Sequence, residues 1–252
     1  MSYYGGRAGA ALTTKKLTMI RTLYHGSPKI VRTPKFGAGC AWNDFGHGFY
    51  CTDSPELASQ WAVLHGRDGF VNMYKMDDTG LRILDLGNPS YCTMHWLSIL
   101  LGYREFDTLN SRAYQAKDYI RTAFEVDHQN YDCIIGLRAD NVNFMFAQAF
   151  INGEISYSQL QKAIRIGGSG RQIVLRSNRA FDRMLFNGYE TVRNAEAYPA
   201  GIGREHKALS DVEKMLSAGT SIHSKPAGAV KAELYITQIM DENMREYDPR
   251  LR

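Results

Sequence analysis

Long hydrophobic runs are missing from this chain of 252 residues; nothing in it approaches the length of a membrane span, so no membrane partner is expected. Blocks of like charge are missing too. Lys and Arg number 30 against 26 Asp and Glu, a mild net charge of +4. Scattered arginines suit a ligand bearing phosphates better than an extended nucleic-acid track, and a nucleic-acid substrate is allowed rather than implied. Cysteine is sparse: Cys40, Cys51, Cys92 and Cys133 stand far apart with no CxxC pair, which reads as buried free thiols in a reducing compartment. The seven histidines show no i, i+3 or i, i+4 pairing and no HExxH, so no metal site is expected. The short glycine loop Gly167-Gly168-Ser169-Gly170 lacks both the GKS/T ending and the GxGxxG spacing of a phosphate loop. Residues 1–20 hold only short apolar runs such as Ala8 to Leu12, broken by Thr13, Thr14, Lys15 and Lys16. They read as a loose arm rather than a signal peptide, and a cytoplasmic enzyme is the expectation.

What is present is organised around Asp44 to Ala62, DFGHGFYCTDSPELASQWA. Gly46 and Gly48 allow positive φ or a close backbone approach. Phe49 to Thr52 has strand composition, and Ser54, Pro55 and Glu56 supply an N-cap, a first helical position and an acidic first turn. Leu57, Trp61 and Leu64 then repeat at helical spacing. Tyr50 at the strand end and Trp61 on the second helical turn fall close together. Two aromatics so placed either sandwich a flat ring or pack in the core.

Around this stretch the pattern predicts strands at 19–25, 70–75, 81–85, 131–137, 172–176 and about 189–192. Helices are predicted at 93–101, 111–124, 142–151, 156–165, 178–186 and about 204–216, with Ser156 and Gln159 forming a capping box. Residues 227–240 read as strand or helix, and Lys29 to Asn43, with Pro34, Gly37 and Gly39, as a loop arching over whatever Gly26 faces. No internal repeat and no clear linker divides the chain.

Leu23 to Lys29, LYHGSPK, followed by Phe45-Gly46-His47-Gly48-Phe49-Tyr50 with Trp61 eleven positions after Tyr50, resembles the motif pair of the diphtheria-toxin-like and poly(ADP-ribose) polymerase-like ADP-ribosyltransferases. The match is closest to a group of uncharacterised bacterial proteins of that superfamily. The resemblance implies an α+β fold of two small, mainly antiparallel sheets with flanking helices. It divides the chain into an arm at 1–20, a domain at 21–198 with a helical block inserted at about 93–165, and an extension at 199–252 packing on the same domain.

It also implies NAD as the substrate and transfer of ADP-ribose to an unknown acceptor, protein or nucleic acid, with release of nicotinamide. A bacterial toxin with a protein antitoxin is part of the same expectation. The alternatives are an NAD glycohydrolase and a non-catalytic module binding NAD or ADP-ribose. By resemblance, His25 bonds the adenosine ribose and the Gly26 backbone clamps the nicotinamide carboxamide. Tyr50 and Trp61 stack on the nicotinamide ring, with Ser27 and Thr52 beside them. The family's third position is a glutamate that binds the ribose 2′-hydroxyl; the aligned residue here is Gln172, which brings no full charge. Glu233, Glu154 and Glu190 are the other candidates. Arg138 and Asp140 either hold a pyrophosphate and a ribose or pair with each other at a helix N-cap. Asp44 and His47, beside the glycine turn, complete the candidates.

Overall fold

In this computed structural model residues 20–63, 67–167, 170–219 and 233–252 are described. The N-terminal arm, Leu64 and the centre of the glycine loop therefore lie outside the described residues, as does 227–232 of the segment read as strand or helix.

Two small sheets form the frame. One has the order β1 (Ile20–Ser27), β3 (Gly69–Asp77), β7 (Met184–Val192) and is antiparallel throughout. The other runs β2 (Phe49–Cys51), β6 (Arg171–Leu175), β5 (Cys133–Leu137), β4 (Ile83–Asp85), antiparallel except where β4 pairs with β5. The class is α+β with two small, mainly antiparallel sheets. Among the described residues one isolated bridge links the frames: Tyr24 and Thr52 exchange both backbone hydrogen bonds at 2.9 Å.

Helices α1 (Pro55–Ala62), α2 (Thr93–Leu100), α3 (Ser111–Ala123), α4 (Asn141–Ile151), α5 (Tyr157–Gly167), α6 (Asn178–Phe181), α7 (Asn194–Gly219) and α8 (Ile236–Asp241) flank them. Local chemistry explains most starts. Ser54, Asn110, Asp140 and Ser177 each accept a backbone N–H with the side chain at their N-caps. Ser156 and Gln159 close the expected capping box, with Gln159 Oε1 2.8 Å from the Ser156 N–H.

β3 and β4, joined by a polar turn, belong to different sheets, and β4 pairs in parallel with β5. The block at 93–165 contains β5, the strand expected at 131–137, central and buried on both faces. Two expectations are corrected. The short helix after Ser177 stops at Phe181, and β7 takes over from Met184, pairing with β3 through eight of its nine residues. Residues 236–241 form a helix, so Glu233 precedes no strand and stands exposed.

The main core packs α2, α3, α4 and α5 against one face of the four-stranded sheet through Leu97, Ile120, Phe146, Phe150 and Leu160. The C-terminal segment enters this same core with Ile236, Ile239 and Leu251. It is tied there by the Tyr157 N–H donating to Leu234 O at 2.7 Å and the Tyr157 hydroxyl donating to Leu251 O at 2.9 Å. A smaller cluster of Leu23, Tyr74, Cys133 and Ile173 fills the space between the sheets. All four cysteines are free; Cys51 and Cys133 are buried, Cys92 is half-buried, and Cys40, against expectation, is exposed on a loop.

Candidate active cleft

Where the sheets diverge beyond the Tyr24–Thr52 bridge, a cleft of about 670 Å³ opens, within the range of small-molecule sites. The end of β1, the turn into β2, α1, the end of β5 and the start of β6 reach it, together with the loop at 29–43 and Arg104 after α2.

The first wall is β1. Its pairing with β3 is regular from Ile20 to Ser27, so backbone direction alternates strictly along it. Tyr24 turns its N–H and C=O toward Thr52. Gly26, two residues on, therefore turns its own N–H and C=O to the same side, where β2 no longer pairs and the cleft begins. Why glycine stands there has a second answer besides ligand access. A Cβ at Gly26 would lie 2.0 Å from Ala58 O and 2.7 Å from Trp61 Cβ, so α1 rests directly on the bare backbone. That contact sets the depth of Trp61, which lines the cleft with its indole N–H buried and unpartnered among the described residues.

His25 is oriented by β2. Its Nδ1 lies 2.7 Å from Tyr50 O and its ring leans on Phe49 at 4.3 Å between centroids. The Nδ1–H must be the donor, since a carbonyl oxygen only accepts, and Nε2 keeps its lone pair when the ring is neutral. Burial lowers the pKa of His25, and the bond to Tyr50 O only partly offsets this. The neutral ring is the form present at pH 7.

Tyr50 lines the cleft with its ring while its hydroxyl staples the turn. It donates to Gly46 O at 2.7 Å and accepts the Phe45 N–H at 3.0 Å. Gly46 needs its φ of +75°, a region that glycine enters without strain. Burial raises the phenol pKa far above its ordinary value, so this hydroxyl stays protonated.

At the floor is a hydrogen-bonded network of Asp44, Arg104 and Gln172. Asp44, buried, accepts from Arg104 Nη1 at 2.7 Å on one oxygen. Its other oxygen accepts the Ala139 N–H and Gln172 Nε2, each at 2.8 Å. Gln172, also buried, spends its second N–H on Leu137 O at 3.3 Å. The amide oxygen is then the group Gln172 has left to offer. Donation to a carboxylate polarises the amide and strengthens that oxygen as an acceptor. Asp44, Arg104 and Gln172 all line the cleft. The negative charge that the glutamine lacks sits one hydrogen bond behind it.

Arg138 and Asp140 also line the cleft, 3.9 Å from each other. The Arg138 guanidinium lies over the Trp61 ring at 5.5 Å, and Asp140 caps α4 by accepting the Asn143 N–H at 3.0 Å. The loop at 29–43 arches over the cleft as expected. It is held by Asn72, fully buried on β3, whose side chain accepts the Val31 N–H at 2.7 Å and donates to Lys29 O and His25 O at 3.2 Å. Nothing in the sequence singled out Asn72.

Several candidates stand elsewhere. The Ser27 hydroxyl accepts the Lys29 N–H at the strand end, and Thr52 is fully buried in the bridge with its hydroxyl on the Ser54 N–H; neither lines the cleft. His47 is exposed against Gly39 O. Glu154, Glu190 and Glu233 are exposed and away from the cleft, so the carboxylates that line it are Asp44 and Asp140. Among the described residues no helix is long and apolar enough to cross a membrane.

Fold and cleft together define a two-sheet α+β domain with a polar-floored, aromatic-walled site between the sheets. The chain belongs to the family described as "Protein of unknown function (DUF3990)", whose model matches residues 21–186, the span that contains every residue of this cleft. No curated protein and no solved structure matches the chain.

Proposed function

We propose that the cleft binds NAD and transfers its ADP-ribose to an acceptor, releasing nicotinamide. The observation that carries this reading is the convergence of His25, Gly26, Tyr50, Trp61 and Gln172 on one cleft from four separate elements, with the backbone edge of Gly26 turned into it. An N–H and a C=O on one edge match the C=O and NH2 of a carboxamide, and the two aromatic rings supply apolar walls for a pyridine ring.

Each group has a task in breaking the bond between C1′ of the ribose and the pyridinium nitrogen. His25 Nε2, kept as a lone pair, accepts a ribose hydroxyl and fixes the pose. The Gly26 edge holds the carboxamide while the nicotinamide leaves with the bonding electrons. The Gln172 amide oxygen, polarised by Asp44, accepts the 2′-hydroxyl of the ribose that becomes an oxocarbenium. An acceptor nucleophile then bonds to C1′ and gives up its proton. A buried carboxylate behind the amide stabilises the growing positive charge without forming a covalent bond to it.

The test is incubation of the protein with NAD labelled in the adenylate half, with and without bacterial lysate, following free nicotinamide and macromolecule-bound label. Transfer predicts both signals. Nicotinamide without bound label indicates hydrolysis. Saturable NAD binding with neither signal indicates a binding module, and no binding removes the reading altogether.

A further inference from the structure

On the far side of the β5–β6 ends from the NAD cleft lies a second cavity of about 500 Å³. Gly136, Leu137 and Arg171 line it, whereas Arg138, Ala139 and Gln172 line the first. Cys92 opens into it at the N-cap of α2. The Cys92 sulfur lies 3.4 Å from His95 Nδ1, and His95 Nε2 lies 3.0 Å from Glu246 Oε2. Nucleophile, base and orienting carboxylate stand in one line, with Glu246 supplied by the C-terminal segment across 151 positions of sequence. The sulfur and the carboxylate face opposite nitrogens of one ring, which is the layout of a proton relay and not of a metal shell.

Local structure fixes the protonation. Glu246 accepts the Nε2–H, leaving the Nδ1 lone pair toward Cys92, where it also accepts the Cys92 N–H at 3.0 Å. The His95 side chain is 2% exposed, held edge-on by Tyr91 and Phe124. Burial pushes the Cys92 thiol up, but the hydrogen bond and charge of His95 and the N–H groups of Met94 and His95 outweigh it and bring the thiol below its ordinary value. Burial likewise lowers His95, and Cys92 and Glu246 more than reverse this.

We propose that Cys92, His95 and Glu246 form a second active site that cleaves acyl thioesters. Leu86, Trp96, Ile164 and Leu251 make an apolar lining suited to an acyl chain, and Arg165 and Arg252 border it where an anionic carrier would lie. His95 Nδ1, letting go of the Cys92 N–H, takes the thiol proton as the Cys92 sulfur bonds to the thioester carbonyl carbon. The bond from that carbon to the carrier sulfur breaks, and the carrier leaves as a thiol with the proton from His95. Water, giving a proton to His95, then attacks the acyl-Cys92; the acid departs and the Cys92 sulfur regains the proton. The net change is thioester plus water to acid plus thiol, with no redox step.

The experiment uses the full chain with octanoyl-coenzyme A, reading free thiol release, intact mass and the sites of acylation. The expected result is an octanoyl adduct on Cys92 and continued thiol release. Cys92→Ser and Cys92→Ala should abolish thiol release, with His95→Gln lowering it by about 10²-fold or more. Glu246→Gln, a positioning change, should lower it and shift the acid limb of the pH–rate profile. Iodoacetamide supplies an independent readout at pH 7: Cys92 should alkylate faster than the exposed Cys40, and His95→Gln should erase the difference. Neither Cys92 nor His95 lines the NAD cleft, so NAD binding should be unchanged in these variants. Absence of both octanoyl-Cys92 and turnover, or alkylation of Cys92 no faster than Cys40, overturns the proposal.

Discussion

The side-chain amide of Gln172 donates to the carboxylate of Asp44 across 2.8 Å, with both groups buried. The pair puts a buried carboxylate one hydrogen bond behind Gln172, the residue that the resemblance aligns with a glutamate. Asp44 already carries the charge, held by Arg104 at 2.7 Å and the Ala139 N–H at 2.8 Å.

Gln172→Glu should therefore harm the protein. Two carboxylates would face each other, and one would hold its proton to a higher pH than in the unfolded chain. A group with a raised folded pKa loses stability as pH rises, so the deficit against the parent should be largest at pH 7 and above and shrink toward pH 5. A shift of about two units corresponds to ~3 kcal/mol. Paired thermal melts across that range measure it; an equal deficit at every pH would show that the two side chains do not interact.

Tyr50 has two separable jobs, a ring face in the cleft and a hydroxyl in the turn. Tyr50→Phe should keep NAD binding within a few-fold while costing ~1–3 kcal/mol from the unpaired Phe45 N–H and Gly46 O. Tyr50→Ala should lose both binding and turnover. Calorimetric titration with NAD beside denaturant melts separates the two. If Phe and Ala bind NAD equally well, the ring does not touch the ligand.

Gly26→Ala tests the seat of α1. The added methyl meets Ala58 O at 2.0 Å and Ala62 N at 2.6 Å, and backbone on both sides has no rotamer with which to yield. Overpacking of this kind costs ~1–3 kcal/mol or more. The melt should fall accordingly, and the fluorescence of Trp61, isolated by replacing Trp42 and Trp96 with Phe, should shift.

For His25 the sign follows from burial. Its folded pKa lies below the ordinary 6.5, so the unfolded chain binds the proton first and stability drops as pH falls through 6.5. Nicotinamide release should decline over the same acid range, as protonation removes the Nε2 lone pair. His25→Asn, which keeps a donor for Tyr50 O, should flatten the acid limb of the stability profile.

Much of this cleft was legible in the chain because its signals are local. The Ser54-Pro55-Glu56 start, the spacing from Tyr50 to Trp61 and the glycine turn depend on neighbours within a dozen residues, and α1 and β2 form where they imply. Partners that meet across sheets left no such trace. Arg104 reaches the cleft from the segment after α2 and Asn72 holds the overlying loop from β3, and no spacing announces that Arg104 will find Asp44. Glu233 precedes the apolar stretch Leu234 to Ile236, a pattern that also suits a strand; in the fold Leu234 and Ile236 enter a helical core instead. Cys92-x-x-His95 carried a local signal, one turn of helix, which a search for paired histidines passes over.

The Tyr24–Thr52 pair joins two sheets that share out the walls of the cleft. Gly26 and Trp61 ride on one jaw, made of β1 with α1 seated on it, while Tyr50 and Gln172 ride on the other with β2 and β6. The span between the aromatic walls is thus set by how the two sheets pack on each other through Leu23, Tyr74, Cys133 and Ile173, so a change of volume in that cluster would alter the width of the cleft without touching its lining.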